Sequence, residues 1–170
     1  RDIALLTLLL GTGIRVSECV GLNVNDVDFD NGCMKIMRKG HKEDIVYFGD
    51  EVEAALHEYI EHRTEIFKPV EEDADALFIS SKNRRISVRA VELLVKKYAM
   101  LTTTVKHITP HKLRSTYGTQ LYKETGDIYL VADVLGHKDV NTTKKHYAAI
   151  DDERRLKIRN AVQLREKDER

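Results

Sequence analysis

The sequence predicts a mainly α protein with a small three-stranded antiparallel β-sheet. Most apolar residues recur at helical spacing, three short β-type runs crowd into residues 27–48, and turn residues join those runs as consecutive hairpins. A chain of 170 residues is long enough for one domain with a real core. No apolar run approaches the ~20 residues a membrane span needs, so the expectation is a soluble protein with no membrane partner.

Ile3 to Leu10 is almost continuously apolar and reads as a helix buried on most sides, stopped at Gly11-Thr12-Gly13. A second short helix starts near Arg15. Val27-Asp28-Phe29, Cys33 to Met37 and Asp44 to Phe48 read as strands, with Asp30-Asn31-Gly32 and Lys39-Gly40-His41-Lys42 as their turns. Asp50 with Glu53 suggests a cap for a helix whose stripe is Val52, Ala55, Leu56, Tyr59 and Ile60. Pro69 to Ala76 is a carboxylate-rich loop and Leu77-Phe78-Ile79 a short extended piece. Ser87 caps a helix striped by Val88, Val91, Leu94, Val95 and Tyr98. Thr109-Pro110 opens another, with threonine as cap and proline in the first turn. Asp127 caps the next, which Gly136 ends. Asn141 or Thr142 caps a short helix carrying Tyr147, and Asp151-Asp152-Glu153 opens a last, thinly apolar one.

Charge is balanced overall, 28 basic against 28 acidic residues, yet strongly segregated along the chain. Glu43 to Ala76 holds twelve acidic residues against Arg63 and Lys68, whereas Lys82 to Arg114 holds nine basic ones against Glu92 alone. A basic face kept apart from an acidic one suits a polyanionic partner. Lys82, Arg84, Arg85 and Arg89, with Lys42 and Lys112, are the candidates to meet a phosphate backbone, and the acidic helix and loop are expected to face away from it. Cys19 and Cys33 lack metal spacing and read as reduced, partly buried thiols of a cytoplasmic protein. His107 and His111 are four apart, but Thr109-Pro110 interrupts the helix between them, so no metal is expected.

Several polar residues fall off every predicted core stripe: Arg15 at a glycine-bounded bend, Lys39 at a hairpin tip, His111 and Arg114 in the first turn of a helix, His137 past a helix end, and Tyr147. A helix N-terminus offers free N–H groups and the positive end of its dipole, so Thr109 to Arg114 is a natural phosphate site. Residues three apart share a face, which aims His111 and Arg114 at one ligand.

Thr12-Gly13-Ile14-Arg15-Val16-Ser17-Glu18, Arg38-Lys39-Gly40-His41-Lys42-Glu43, His111-Lys112-Leu113-Arg114, Leu135-Gly136-His137 and Tyr147 stand in an order that resembles the catalytic domain of the tyrosine recombinases. That family includes phage and conjugative-transposon integrases and the Xer recombinases. The resemblance implies that Arg15 and Arg114 are the active-site arginines, Lys39 the hairpin lysine, His111 and His137 the histidines, and Tyr147 the nucleophile. It implies the family's mainly helical fold with a small sheet, and a longer protein whose amino-terminal core-binding domain is absent from this chain, residues 1–170 being the single catalytic domain. It implies double-stranded DNA at a specific recombination site as partner, a homotetramer on DNA through a carboxy-terminal helix (residues 150–170) docking on a neighbour, and a cytoplasmic, nucleoid-associated setting in a bacterium or phage host.

These residue types suit such a reaction. A phosphodiester gathers negative charge in the transition state, and arginine's forked, permanently charged donors match two of its oxygens. Tyrosine, with an ordinary pKa near ~10, needs help to lose its proton, and His111 is the candidate acceptor. Lys39 is placed to protonate the leaving 5′ oxygen, and His137 to donate to a phosphate oxygen. Retaining the bond energy in a 3′-phosphotyrosine removes any need for metal or other cofactor. Tyr147 is expected outside the core, on a separable tether from Asn141 to His146. Two alternatives stand beside this reading: a strand nicking and resealing enzyme of the type IB topoisomerase kind, and a catalytically silent DNA-binding accessory module.

Overall fold

A computed structural model describes residues 1–102, 107–141, 143–147 and 150. The chain divides into two compact units, Arg1–Gly118 and Thr119–Arg170, the boundary falling inside a helix.

The first unit is built on α1 (Asp2–Thr12), whose Ala4, Leu5, Leu8 and Leu9 are each at most 2% exposed. The continuously apolar run is expected to be buried on most sides, yet Ile3 (73% exposed) and Leu10 (46%) lie on an open face, so the helix buries one side only. Gly13 stops the helix in the left-handed region (φ 64°), its N–H donating to Leu9 O at 3.1 Å. A β-carbon there would collide with the ring of Tyr117, so glycine suits both the φ and the space. After α2 (Val16–Gly21) comes the sheet, β1 (Val27–Asp28), β2 (Cys33–Arg38) and β3 (Lys42–Tyr47), antiparallel in that order. β2 and β3 pair from Cys33↔Tyr47 to Arg38↔Lys42, leaving Lys39-Gly40-His41 as the connecting loop. Alternation sends Met34, Ile36 and Val46 into the core and Lys35, Met37 and Ile45 outward.

α3 (Asp50–Ile66) buries Val52, Leu56 and Tyr59 as its spacing predicts, but it starts one residue earlier than an Asp50 cap would have it. Gly49 is the cap, and its carbonyl accepts from Val52 N and Glu53 N at 3.0 Å each, so Asp50 stands inside the helix, where its charge suits the dipole. Arg63 also turns inward. Its guanidinium donates to the carbonyls of Ala74 (2.7 Å), Ala76 and Leu77, closing the acidic loop onto α3. Leu77, Phe78 and Ile79 are at most 1% exposed, and Phe78 stacks on Tyr59 with centroids 5.5 Å apart. Burying each such side chain is worth ~1.5–3 kcal/mol. α4 (Val88–Thr102) is capped by Ser87, whose Oγ accepts from Ala90 N at 3.2 Å, and buries Val91, Leu94 and Val95. α5 (Pro110–Thr125) is capped by Thr109, whose Oγ1 accepts from Lys112 N at 3.3 Å. Cys19 and Cys33 are free and buried, and desolvation pushes the Cys19 thiol up to about 12.

In the second unit, α6 (Ile128–Val134) is capped by Asp127 through Tyr129 N (2.9 Å) and Leu130 N (3.1 Å). It ends in a Schellman arrangement: Gly136 N donates to Asp133 O (2.7 Å) and His137 N to Ala132 O (2.8 Å), with Gly136 at φ 63°. Residues 140–141 and 143–147 are helical. The side-chain cap of this segment is Asp139, which accepts from Asn141 N at 2.8 Å, so Asn141 lies within the helix instead of before it. Thr142 and the final helix expected at 151–170 lie outside the described residues. No helix among the described residues is long and apolar enough to cross a membrane.

Candidate active site

The α1–α2 bend places Arg15 at the N-cap of α2, with an extended backbone (φ −71°, ψ 149°). Glu18, three residues on and 5% exposed, receives Arg15 N at 2.7 Å on Oε2 and Arg15 Nη1 at 3.0 Å on Oε1. The same carboxylate accepts Nη1 of Arg38 at 3.3 Å to each oxygen, and Arg38 Nε reaches Asp44 Oδ2 at 2.9 Å. Among the described residues, the guanidinium ions of Arg15 and Arg38 and the carboxylates of Glu18 and Asp44 thus form one ion-pair cluster. Inside it, Glu18 is the least exposed member, with 3% of its side-chain surface accessible against 37% for Arg15 and 10% for Arg38. Because both arginines meet this carboxylate, losing either one still leaves it paired with the other.

Arg114 reaches the same bend from α5. Only 6% exposed, it donates from Nη1 to Gly13 O at 2.6 Å, two residues before Arg15. The Gly13–Tyr117 contact described above lies one turn further along α5, so the bend meets α5 at two successive turns. His111, three residues before Arg114, is exposed, and so is Lys39 at the hairpin tip. The first unit therefore brings Arg15, Arg114 and the base of the Lys39 hairpin together.

In the second unit, His137 is half-buried, its Nδ1 2.7 Å from Thr143 Oγ1. That bond orients the ring and ties the turn after α6 to the following helical segment. Tyr147 is 3% exposed, its ring 5.4 Å from that of Tyr122 and 4.9 Å from that of His146. The expectation of a tyrosine outside the core on a separable tether is corrected here. The segment is helical, Thr143 is 1% exposed, and the amphipathic pattern Thr143, Tyr147 turns inward while Lys144, Lys145 and His146 face solvent.

The basic residues divide in two. Lys42, Lys82, Arg84, Arg89 and Lys112 are exposed, Arg84 and Arg89 with open ion pairs to Glu72 (3.4 Å) and Glu92 (3.3 Å) that contribute little to stability. Arg85 is not one of this set: its guanidinium donates to Val20 O (3.1 Å), Leu22 O (2.8 Å) and Asn23 Oδ1 (2.6 Å), bracing the end of α2. The acidic loop is joined to the turn that carries the basic stretch. Val70 N donates to Asn83 O at 2.9 Å and Lys68 N to Asn83 Oδ1 at 3.1 Å, which sets the loop beside the turn carrying Lys82 and Arg84. Among the described residues no group of three or more His, Cys, Asp or Glu is gathered as a metal site would need.

Glu18, Arg38 and Thr143 are three further residues of the site beyond those expected from the sequence. Glu18 had a local signal, since a glutamate at the third helical position that receives the N-cap N–H is half of a capping box. Arg38 and Thr143 had none, because their partners come from another element.

The model of the phage integrase family matches residues 1–154. Tyrosine recombinase XerC of Oceanobacillus iheyensis is 38% identical over 145 residues, covering 85% of this chain and 48% of that protein. Among solved structures, XerA recombinase superposes with a TM-score of 0.80 at 28% identity, over 92% of this chain and 57% of that one. XerH site-specific recombinase, bound to a palindromic difH substrate as a post-cleavage complex, superposes with a TM-score of 0.78 at 25% identity, over 95% and 46%. The mainly helical fold with its small sheet is thus the fold of these solved recombinases. The chain belongs to the phage integrase family, that of the tyrosine recombinases, and spans about half the length of the curated relatives it matches.

Proposed function

We propose that this chain is the catalytic domain of a site-specific DNA recombinase that cuts and rejoins strands through Tyr147. The observation that carries the reading is the Arg114–Gly13 bond, which brings the second arginine of the motif set to the bend holding the first. Two permanent cations at one bend, one of them locked by a buried acceptor, suit a phosphodiester whose charge grows during attack.

In the proposed reaction the Tyr147 oxygen attacks phosphorus as its proton passes to His111. The bond from phosphorus to the 5′ oxygen breaks, and Lys39 donates a proton to that oxygen. A 5′-hydroxyl from another strand reverses the steps and releases the tyrosine. His137, oriented by Thr143, donates to a phosphate oxygen. Because Tyr147 is 3% exposed, it leaves the ring of Tyr122 before it reaches DNA. Lys42, Lys82, Arg84, Arg89 and Lys112 contact the phosphate backbone. The proposal extends to a longer protein with an amino-terminal clamping domain, acting in bacterial cytoplasm as a tetramer on its site. It is supported by relatives about twice as long and by solved recombinases bound to DNA.

The test uses the complete protein and a nicked suicide duplex carrying the site it selects from random-sequence DNA. An SDS-stable protein–DNA adduct is expected, and Tyr147→Phe should reduce it to background. An adduct that survives in Tyr147→Phe would remove the nucleophile, and its absence in the parent would favour the silent accessory module. Relaxation of a single duplex without strand exchange would favour the nicking and resealing alternative.

A further inference from the structure

We propose that Arg38 is a positioning residue for Lys39, setting the acid-bearing hairpin in register with Arg15 through their shared carboxylate, Glu18. This rests on the cleavage reading above. Arg38 is the last residue of β2, paired with Lys42 across the loop that carries Lys39. Its side chain turns inward, 10% exposed, whereas the next residue projects into solvent at the tip. Arg38 shares the inward face of β2 with Met34 and Ile36, and Lys39, the first residue of the loop, is exposed.

The guanidinium spans two elements. Nη1 meets both oxygens of Glu18 at 3.3 Å and Nε meets Asp44 on β3 at 2.9 Å, so it ties both arms of the hairpin to the start of α2. Glu18 in turn holds Arg15 by its backbone N–H and by Nη1. One carboxylate therefore sets the cation that grips the phosphate and the strand end from which the proton donor projects. Gly40 (φ 87°) and His41 (φ 56°) make the loop beyond Arg38 a tight left-handed turn, so a tilt of its base displaces the Lys39 ammonium. Misplacement by about an ångström is enough to lose on the order of 10²-fold in rate.

Cleavage of the selected site by the complete protein is compared on an ordinary phosphodiester and on one whose 5′ bridging oxygen is sulfur, a leaving group that needs little protonation. Lys39→Ala should lose ordinary cleavage and recover it on the thio substrate. Arg38→Met should follow the same pattern, with at least 10-fold greater recovery than the parent, and Arg38→Lys should fall between. Lys35→Ala, which breaks only an exposed hairpin ion pair to Glu43, should cleave both like the parent. Arg38→Met losing both substrates equally, or losing neither, overturns the assignment of Arg38 while leaving the cleavage reading intact. If Lys39→Ala itself gains nothing from sulfur, the role of Lys39 as acid fails, and this inference with it.

Discussion

Arg38 and Lys39 are neighbours in sequence and opposites in the fold. The first is enclosed against Glu18 and Asp44; the second stands exposed at the tip of the same hairpin. The same contrast divides α5, where Arg114 is 6% exposed and bonded to Gly13 while His111, one turn earlier, is exposed. Groups proposed to serve as fixed charge are held by buried acceptors, whereas groups proposed to move a proton are left where they can travel. Holding a cation beforehand removes reorganisation from the reaction, and a proton donor gains from reach.

Replacing Arg114 is the severest way to break this contrast. Arg114→Ala is expected to lower single-turnover cleavage by ~10²–10³-fold, with no relief from a 5′-thio leaving group. It should also lower the thermal midpoint, because Gly13 O loses a buried donor. Lys39→Ala should cost cleavage on the order of 10²-fold while leaving the midpoint within about a degree of the parent, since the side chain is exposed. Equal thermal losses in the two variants would erase the distinction between held and free groups.

A smaller effect sharpens the held side of the contrast. Gly13→Ala places a methyl group against the Tyr117 ring at positive φ and should cost ~1–3 kcal/mol of stability, read as urea denaturation of the folded chain. An unchanged midpoint would mean that the bend tolerates a side chain and does not need glycine. The least effect is expected at the surface. Lys82→Ala should reduce the slope of log affinity for duplex DNA against log salt by roughly 1, uniformly across sequences, whereas Arg85→Ala should instead destabilise the fold. An unaltered salt slope for Lys82→Ala would remove that lysine from the DNA contacts.

The stripes of α3 and α4, both hairpin turns, the caps at Ser87, Thr109 and Asp127, and the stop at Gly136 were legible in the sequence, because each depends on residues within a few positions of one another. The mainly helical fold with its three-stranded sheet follows from those local patterns, and so does the order of the motif residues. What only the tertiary structure decided is which polar groups are enclosed. Arg85 and Arg89 look alike in the sequence, yet the first is consumed by carbonyls at the end of α2 and the second is exposed. Tyr147 lies on a lysine-rich segment and is nonetheless buried beside Tyr122, 25 residues away in sequence. Glu18 and Arg38 are joined across 20 positions. Burial and ion pairing depend on which elements meet, and chain-distant contacts leave no periodic trace in the sequence.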